Sequence, residues 1–142
     1  MLSRRSFLAV LAASLASPVF AETPHIPTPG SAERKAIADA MRKTLRKAFG
    51  EPEADFVFIF RTLRVQGDWA WAEAEPQRVG GEAGQFEGVN FLLRKSSGGW
   101  RVAESLPDEV ASADEPDKAM RAWLKAIAAK YPALPKGVLP AR

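Results

Sequence analysis

The stretch from Phe56 to Glu75 constrains the fold more than any other part of this 142-residue chain. Apolar and polar side chains alternate along it, and Gly67-Asp68 interrupts the alternation near its middle. Period-two alternation suits a strand with one buried face, and a glycine beside an aspartate suits a two-residue turn. The reading is a hairpin joining Phe56–Gln66 to Trp69–Glu75. A second hairpin is expected between Phe86–Lys95 and Trp100–Leu106, connected through Ser96-Ser97-Gly98-Gly99. Between the two, Pro76 and the loop around Gly80, Gly81 and Gly84 break the pairing.

With Gly67 and Asp68 as the turn, Val65 faces Ala70, Leu63 faces Ala72 and Arg61 faces Ala74. One sheet face then carries Val57, Ile59, Leu63, Val65, Ala70, Ala72 and Ala74. The other carries Thr62, Arg64, Gln66, Trp69, Trp71, Glu73 and Glu75. The alanines suit a helix crossing close above them, so their face is read as the buried one. A one-residue slip would exchange the two sets.

Helices are expected on both sides of this β region. Ser31 is placed to cap a helix with Glu33 in its first turn. Ile37, Met41, Leu45, Ala48 and Phe49 recur at helical spacing, and Gly50 with Pro52 ends the run. Arg34, Lys35, Arg42, Lys43, Arg46 and Lys47 make up its other faces, which reads as a solvated basic surface. Asp114, Glu115 and Pro116 open a last helix with the stripe Met120, Trp123, Leu124, Ile127 and Tyr131, ended by Pro132. The segment 133–140 is apolar enough to pack along the domain. Helix, hairpin, hairpin, helix gives an α+β domain over residues 31–142. Its N-terminal helix packs on a curved antiparallel sheet of about four strands, with a C-terminal helix.

Ahead of it, Thr23 to Gly30 is rich in proline and reads as a flexible or extended leader over residues 22–30. Residues 1–21 read as a signal peptide: Arg4-Arg5 precede an apolar run from Phe7 to Ala16, and Val19-Phe20-Ala21 suits a signal peptidase cutting after Ala21. Ser3-Arg4-Arg5-Ser6-Phe7-Leu8 resembles the twin-arginine export signal, which implies delivery of an already folded protein to the periplasm. The general secretory route is the competing reading. About ten apolar residues fall short of the ~20 that span a bilayer, so no stable membrane span is expected after cleavage.

Without residues 1–21, 18 of the 20 basic residues remain against 17 acids, a formal charge of about +1. Nucleic-acid binding calls for a larger basic excess and is not expected. The chain has no cysteine and a single histidine, His25, in the leader. Disulfides and thiolate chemistry are thereby excluded, and a histidine triad or a zinc site is not expected. No phosphate loop, haem-attachment motif or iron–sulfur spacing occurs, so no cofactor is expected.

Gly67-Asp68-Trp69-Ala70 at one turn and Gly98-Gly99-Trp100-Arg101-Val102 at the other resemble the cystatin-like and nuclear-transport-factor-like superfamily across residues 31 to 106. That resemblance implies a long N-terminal helix lying across a curved sheet. It also implies that acids lining the cone between them can serve catalysis. Ala32-Glu33-Arg34-Lys35-Ala36-Ile37, Gly67-Asp68-Trp69-Ala70 and the Tyr131 to Leu134-Pro135 ending also resemble a group of small exported bacterial proteins of unknown function, which implies no activity.

Two sets of candidate residues follow. Trp69, Trp71, Arg64, Glu73 and Glu75 share the less buried sheet face, and aromatic rings beside charges suit a protein or glycan partner. The alternatives are that the 76–85 loop or the C-terminal helix covers both rings, or that a homodimer forms through this face. Glu104 is placed near Phe91, with Arg61 on the same helix side. A carboxylate in an apolar cleft has a raised pKa and can act as general acid or base. The plainer readings are an Arg61–Glu104 ion pair at the cavity mouth or a Glu104 that reaches solvent. Among the acids from Glu104 to Asp117, helix capping accounts for Asp114, Glu115 and Asp117 and leaves Asp108 and Glu109 unexplained. The leading function is a non-catalytic periplasmic binding or interaction protein using the tryptophan face. The alternative is a cofactor-free enzyme or small-ligand carrier using the helix–sheet cavity.

Overall fold

Ser31 caps the first helix, α1 (Ala32–Phe49): its Oγ accepts the Arg34 backbone N–H at 3.2 Å. Gly50 ends the helix in the left-handed conformation, at φ 63°, and its N–H returns to the carbonyls of the last turn. A residue without Cβ adopts this C-cap geometry at least cost. Ile37, Met41 and Leu45 lie on one side of α1 and are buried. Burial of each such side chain is worth about 1.5–3 kcal/mol. The structure is a computed structural model, and residues 23–141 are described. The expected export signal, with Arg4, Arg5 and Ala21, lies outside the described residues.

Four antiparallel strands follow in a meander ordered as in the chain: β1 (Phe56–Gln66), β2 (Trp69–Arg78), β3 (Val89–Ser96) and β4 (Gly99–Ser105). A short helix, α2 (Asp108–Ala111), leads to α3 (Pro116–Lys130). The architecture is α+β, with an open sheet, an N-terminal helix and a C-terminal helix. No helix among the described residues is long and apolar enough to cross a membrane.

The turn register is the one expected near Gly67: Val65 pairs with Ala70 and Leu63 with Ala72. Gly67 takes φ 59°, the sign required at the first central position of a type II′ turn. Farther along β1 the expectation fails. A bulge between Phe60 and Thr62 sets Arg61 outside the pairing, so Phe60, not Arg61, faces Ala74. The extra residue reverses the alternation beyond it. Phe56, Phe58 and Phe60 therefore turn toward α1, while Val57 and Ile59, expected inside, are exposed.

Two strand ends also differ from expectation. β2 runs through Pro76 to Arg78 instead of stopping at Glu75, with Pro76 opposite Phe58. The pairing of β3 with β2 reaches only to Ala74, so Pro76 lies where β2 has a partner on one side alone. A proline costs little there. β3 starts at Val89, which leaves Phe86 in the preceding loop.

Helices cover both faces of the sheet. On one side, Ile37, Met41 and Leu45 pack on Phe56, Leu63, Val65, the three β2 alanines, Phe91 and Leu93. On the other, Trp69, Trp71 and Leu92 are sealed by Leu124 and Ile127 of α3 and by Val138 of the C-terminal segment. The leader is pinned to the domain. His25 and Val65 exchange backbone hydrogen bonds of 2.8 Å at the β1 edge, and the Arg34 guanidinium donates to the Pro27 carbonyl. The C-terminal segment meets the leader there. A Cβ on Gly137 would stand 2.6 Å from both Pro24 and Gln66, so only glycine fits.

Candidate functional site: a cleft beside the end of α1

The last turns of α1 overhang the end of the sheet at which β2 and β3 diverge. Thr44, Leu45, Ala48 and Phe49 form one wall of an open cleft there. Phe86, Val89 and Phe91 face them, and Leu106 with α2 closes the side. The cleft holds about 440 Å³. That volume falls within the range of small-molecule pockets, which join an apolar lining to a few polar groups.

Two rings of its wall, Phe49 and Phe86, cluster with the buried Phe56 behind them. Phe49, Phe56 and Phe86 stand with centroids 5.5–5.9 Å apart, the Phe56–Phe86 pair edge-to-face. Arg78 lies over Phe56 and Phe86, 5.5 and 5.4 Å from their centroids, and its guanidinium donates to Glu51 at 2.6 Å. That hydrogen bond outweighs the opposing effect of burial and, with the attraction of the Arg78 charge, holds the Glu51 carboxyl below the usual value. The bulge at Arg61 puts Phe56 into this cluster, and the chain reversal before β3 brings Phe86 over it. The polar lining includes Thr44, Asn90, Ser105, Glu87 and Asp108, with no Lys or Arg. The chemistry on offer is apolar contact, neutral hydrogen bonding and negative charge. Asp108 and Glu109, unexplained from sequence, occupy the first turn of α2, where acids suit the helix dipole.

The sequence-derived candidates lie elsewhere. Trp69 is 4% exposed and Trp71 is fully buried, so neither ring is presented to solvent. The reading that holds is the one in which the C-terminal helix covers them: Trp71 packs on Trp123 and Trp69 edge-on against Tyr131. The Trp71 indole N–H donates to Glu73 at 3.0 Å, and Arg64 donates to the Gly137 carbonyl at 3.2 Å. Glu75 accepts the Gly84 backbone N–H at 2.9 Å. These residues bind α3, the C-terminal segment and a loop to the sheet.

Glu104 and Arg61 do not meet in the helix–sheet cone. A second bulge shifts the β3–β4 register after Leu93–Val102, so Glu104 pairs with Leu92 and turns to the α3 side. There the Tyr131 hydroxyl donates to it at 2.7 Å, and Lys130 pairs with it. Burial pushes the Glu104 carboxyl up, but these donors and the lysine charge outweigh it, leaving the pKa below the usual value. A general acid needs the opposite shift. Arg61 is largely exposed and lies 3.8 Å from Glu75.

Sequence reading named a helix–sheet cavity as its alternative site but missed the residues that line this cleft, because both bulges are silent in the alternation pattern. The one available signal was Phe86, a lone large aromatic just after a glycine-rich loop. Compared with known proteins, the chain matches no family model, no curated protein and no solved structure.

Proposed function

We propose that this chain is a periplasmic binding protein, exported through its twin-arginine signal, that carries a small apolar ligand in the cleft beside α1. The observation that carries the reading is the cleft itself: Phe49, Phe86 and Phe91 in its wall, a thin polar lining, and no basic residue. Glu87 and Asp108 favour a neutral or cationic ligand, because an anion would meet two carboxylates and no basic residue in the wall. The buried tryptophans take the place of the exposed platform that a protein or glycan partner would need.

The test uses protein recovered from the periplasmic fraction, whose mass should place its N-terminus at Glu22. Titration with a neutral solvatochromic dye should give saturable emission enhancement. Ala48 is exposed on the cleft wall, so Ala48→Trp should abolish the enhancement while leaving the thermal transition in place. Equal dye binding by parent and variant would remove the cleft from consideration. Protein that still begins at Met1 would remove the export reading.

A further inference from the structure

At the opposite end of the sheet, the β3–β4 hairpin and the C-terminal segment enclose a second concave surface, of about 660 Å³. The Arg94 and Arg101 side chains line it, with Asp68 the one acid and Ala133 and Pro135 on the far side, while Lys95, at its rim, alternates to the α1 face with its partner Trp100. The two arginines are direct cross-strand partners. Like charges placed opposite each other destabilise a strand pair. Among the described residues no carboxylate lies within ion-pairing distance of Arg94, Lys95 or Arg101. Asp68 is engaged through its backbone, its carbonyl accepting the Lys95 N–H at 2.7 Å.

Arg94 is also oriented. Its guanidinium carbon stands 4.8 Å from the centroid of the buried Trp69 ring, the residue paired with it across β2 and β3. A guanidinium held against an aromatic face loses less freedom when it grips an anion. Two guanidiniums against one carboxylate leave a positive charge in excess.

We propose that this surface is a binding site for a phosphate dianion carried by a small molecule. Two guanidiniums on adjacent strands suit the three terminal oxygens of a phosphate better than the two of a carboxylate. Two arginine forks supply parallel N–H groups to phosphate oxygens. The bound anion would offset the Arg94–Arg101 repulsion. This site lies apart from the cleft beside α1 and does not depend on it.

Calorimetric titration of the full chain with inorganic phosphate at low salt tests the proposal. Saturable binding is expected, and phosphate should raise the melting temperature. Arg101→Gln, at an exposed position, should weaken binding about tenfold or more and abolish the phosphate-dependent rise in melting temperature. Lys125→Gln, on the exposed side of α3, should bind as the parent does. Absence of saturable binding, or equal binding by Arg101→Gln and the parent, overturns the site. Sedimentation with phosphatidylglycerol vesicles separates the two sources of phosphate. Capture by vesicles that inorganic phosphate cannot compete away would overturn the small-molecule assignment in favour of a membrane surface.

Discussion

Toward α1, β2 offers Ala70, Ala72 and Ala74; toward α3, the same strand offers Trp69, Trp71 and Glu73. The alanines let a helix come close but supply little volume of their own. Where α1 passes beyond the narrow part of the sheet, phenylalanines stand around unfilled space. On the other side two indoles fill the gap beneath α3 and the C-terminal segment, and their edges are sealed by Tyr131 and Trp123. One strand thus builds a face that leaves room and a face that does not. What decides between them is side-chain volume set against the height of the covering layer.

The largest effect that would test this contrast is Trp71→Ala. Removing a fully buried indole from the closed face should cost about 3–5 kcal/mol, read as a lower midpoint in urea unfolding. A loss below about 1 kcal/mol would mean that α3 does not seal a core.

Leu45→Ala probes the open face. Leu45 is nearly buried but already borders the cleft, so part of its surface has no packing partner to lose. The expected cost is about 2 kcal/mol, the low end for such truncations. The same denaturation experiment would contradict the contrast if this cost equalled that of Trp71→Ala.

The smallest effect is pH-dependent and belongs to the closed face. The Glu104 pKa is depressed in the folded chain, so its contribution to stability is present above the ordinary glutamate range. That contribution is lost as pH falls through the folded value. Melting temperatures of the parent should therefore fall more steeply on acidification than those of Glu104→Gln, with the two curves converging at low pH. Parallel curves throughout would show that the contact with Tyr131 and Lys130 is energetically idle.

Apart from the short α2, which was not foreseen, element order, helix limits and the first turn were legible in the sequence because each rests on a local signal: Ser31 before Ala32, Gly50 after Phe49, Gly67 at the turn. The core stripe of α3 was legible for the same reason. The inward and outward sets of β1 were legible only from Thr62 onward. An inserted residue leaves no mark in composition, and Phe56, Phe58 and Phe60 alternate with Val57 and Ile59, so either set suits burial. Glu104 was misplaced by the same physics, since the β4 bulge at Ala103 exchanges its side of the sheet. Both candidate catalytic residues lie at or beside a bulge, where a period-two count is least informative. The burial of Trp69 and Trp71 turned on the position of α3, a long-range matter that no local pattern records.

The leader held at Val65 also bears on the open edge of the sheet. β1 is the outer strand of an open sheet, and an outer strand with free N–H and C=O groups invites another chain to add to it. His25 occupies that position at Val65, and Pro24 and Pro27 beside it have no N–H with which to extend a ladder. The short strap therefore works as a doorstop, blocking one end of the edge while offering little for a newcomer to continue. Proteolytic trimming past His25 would bare that end as a template for self-assembly.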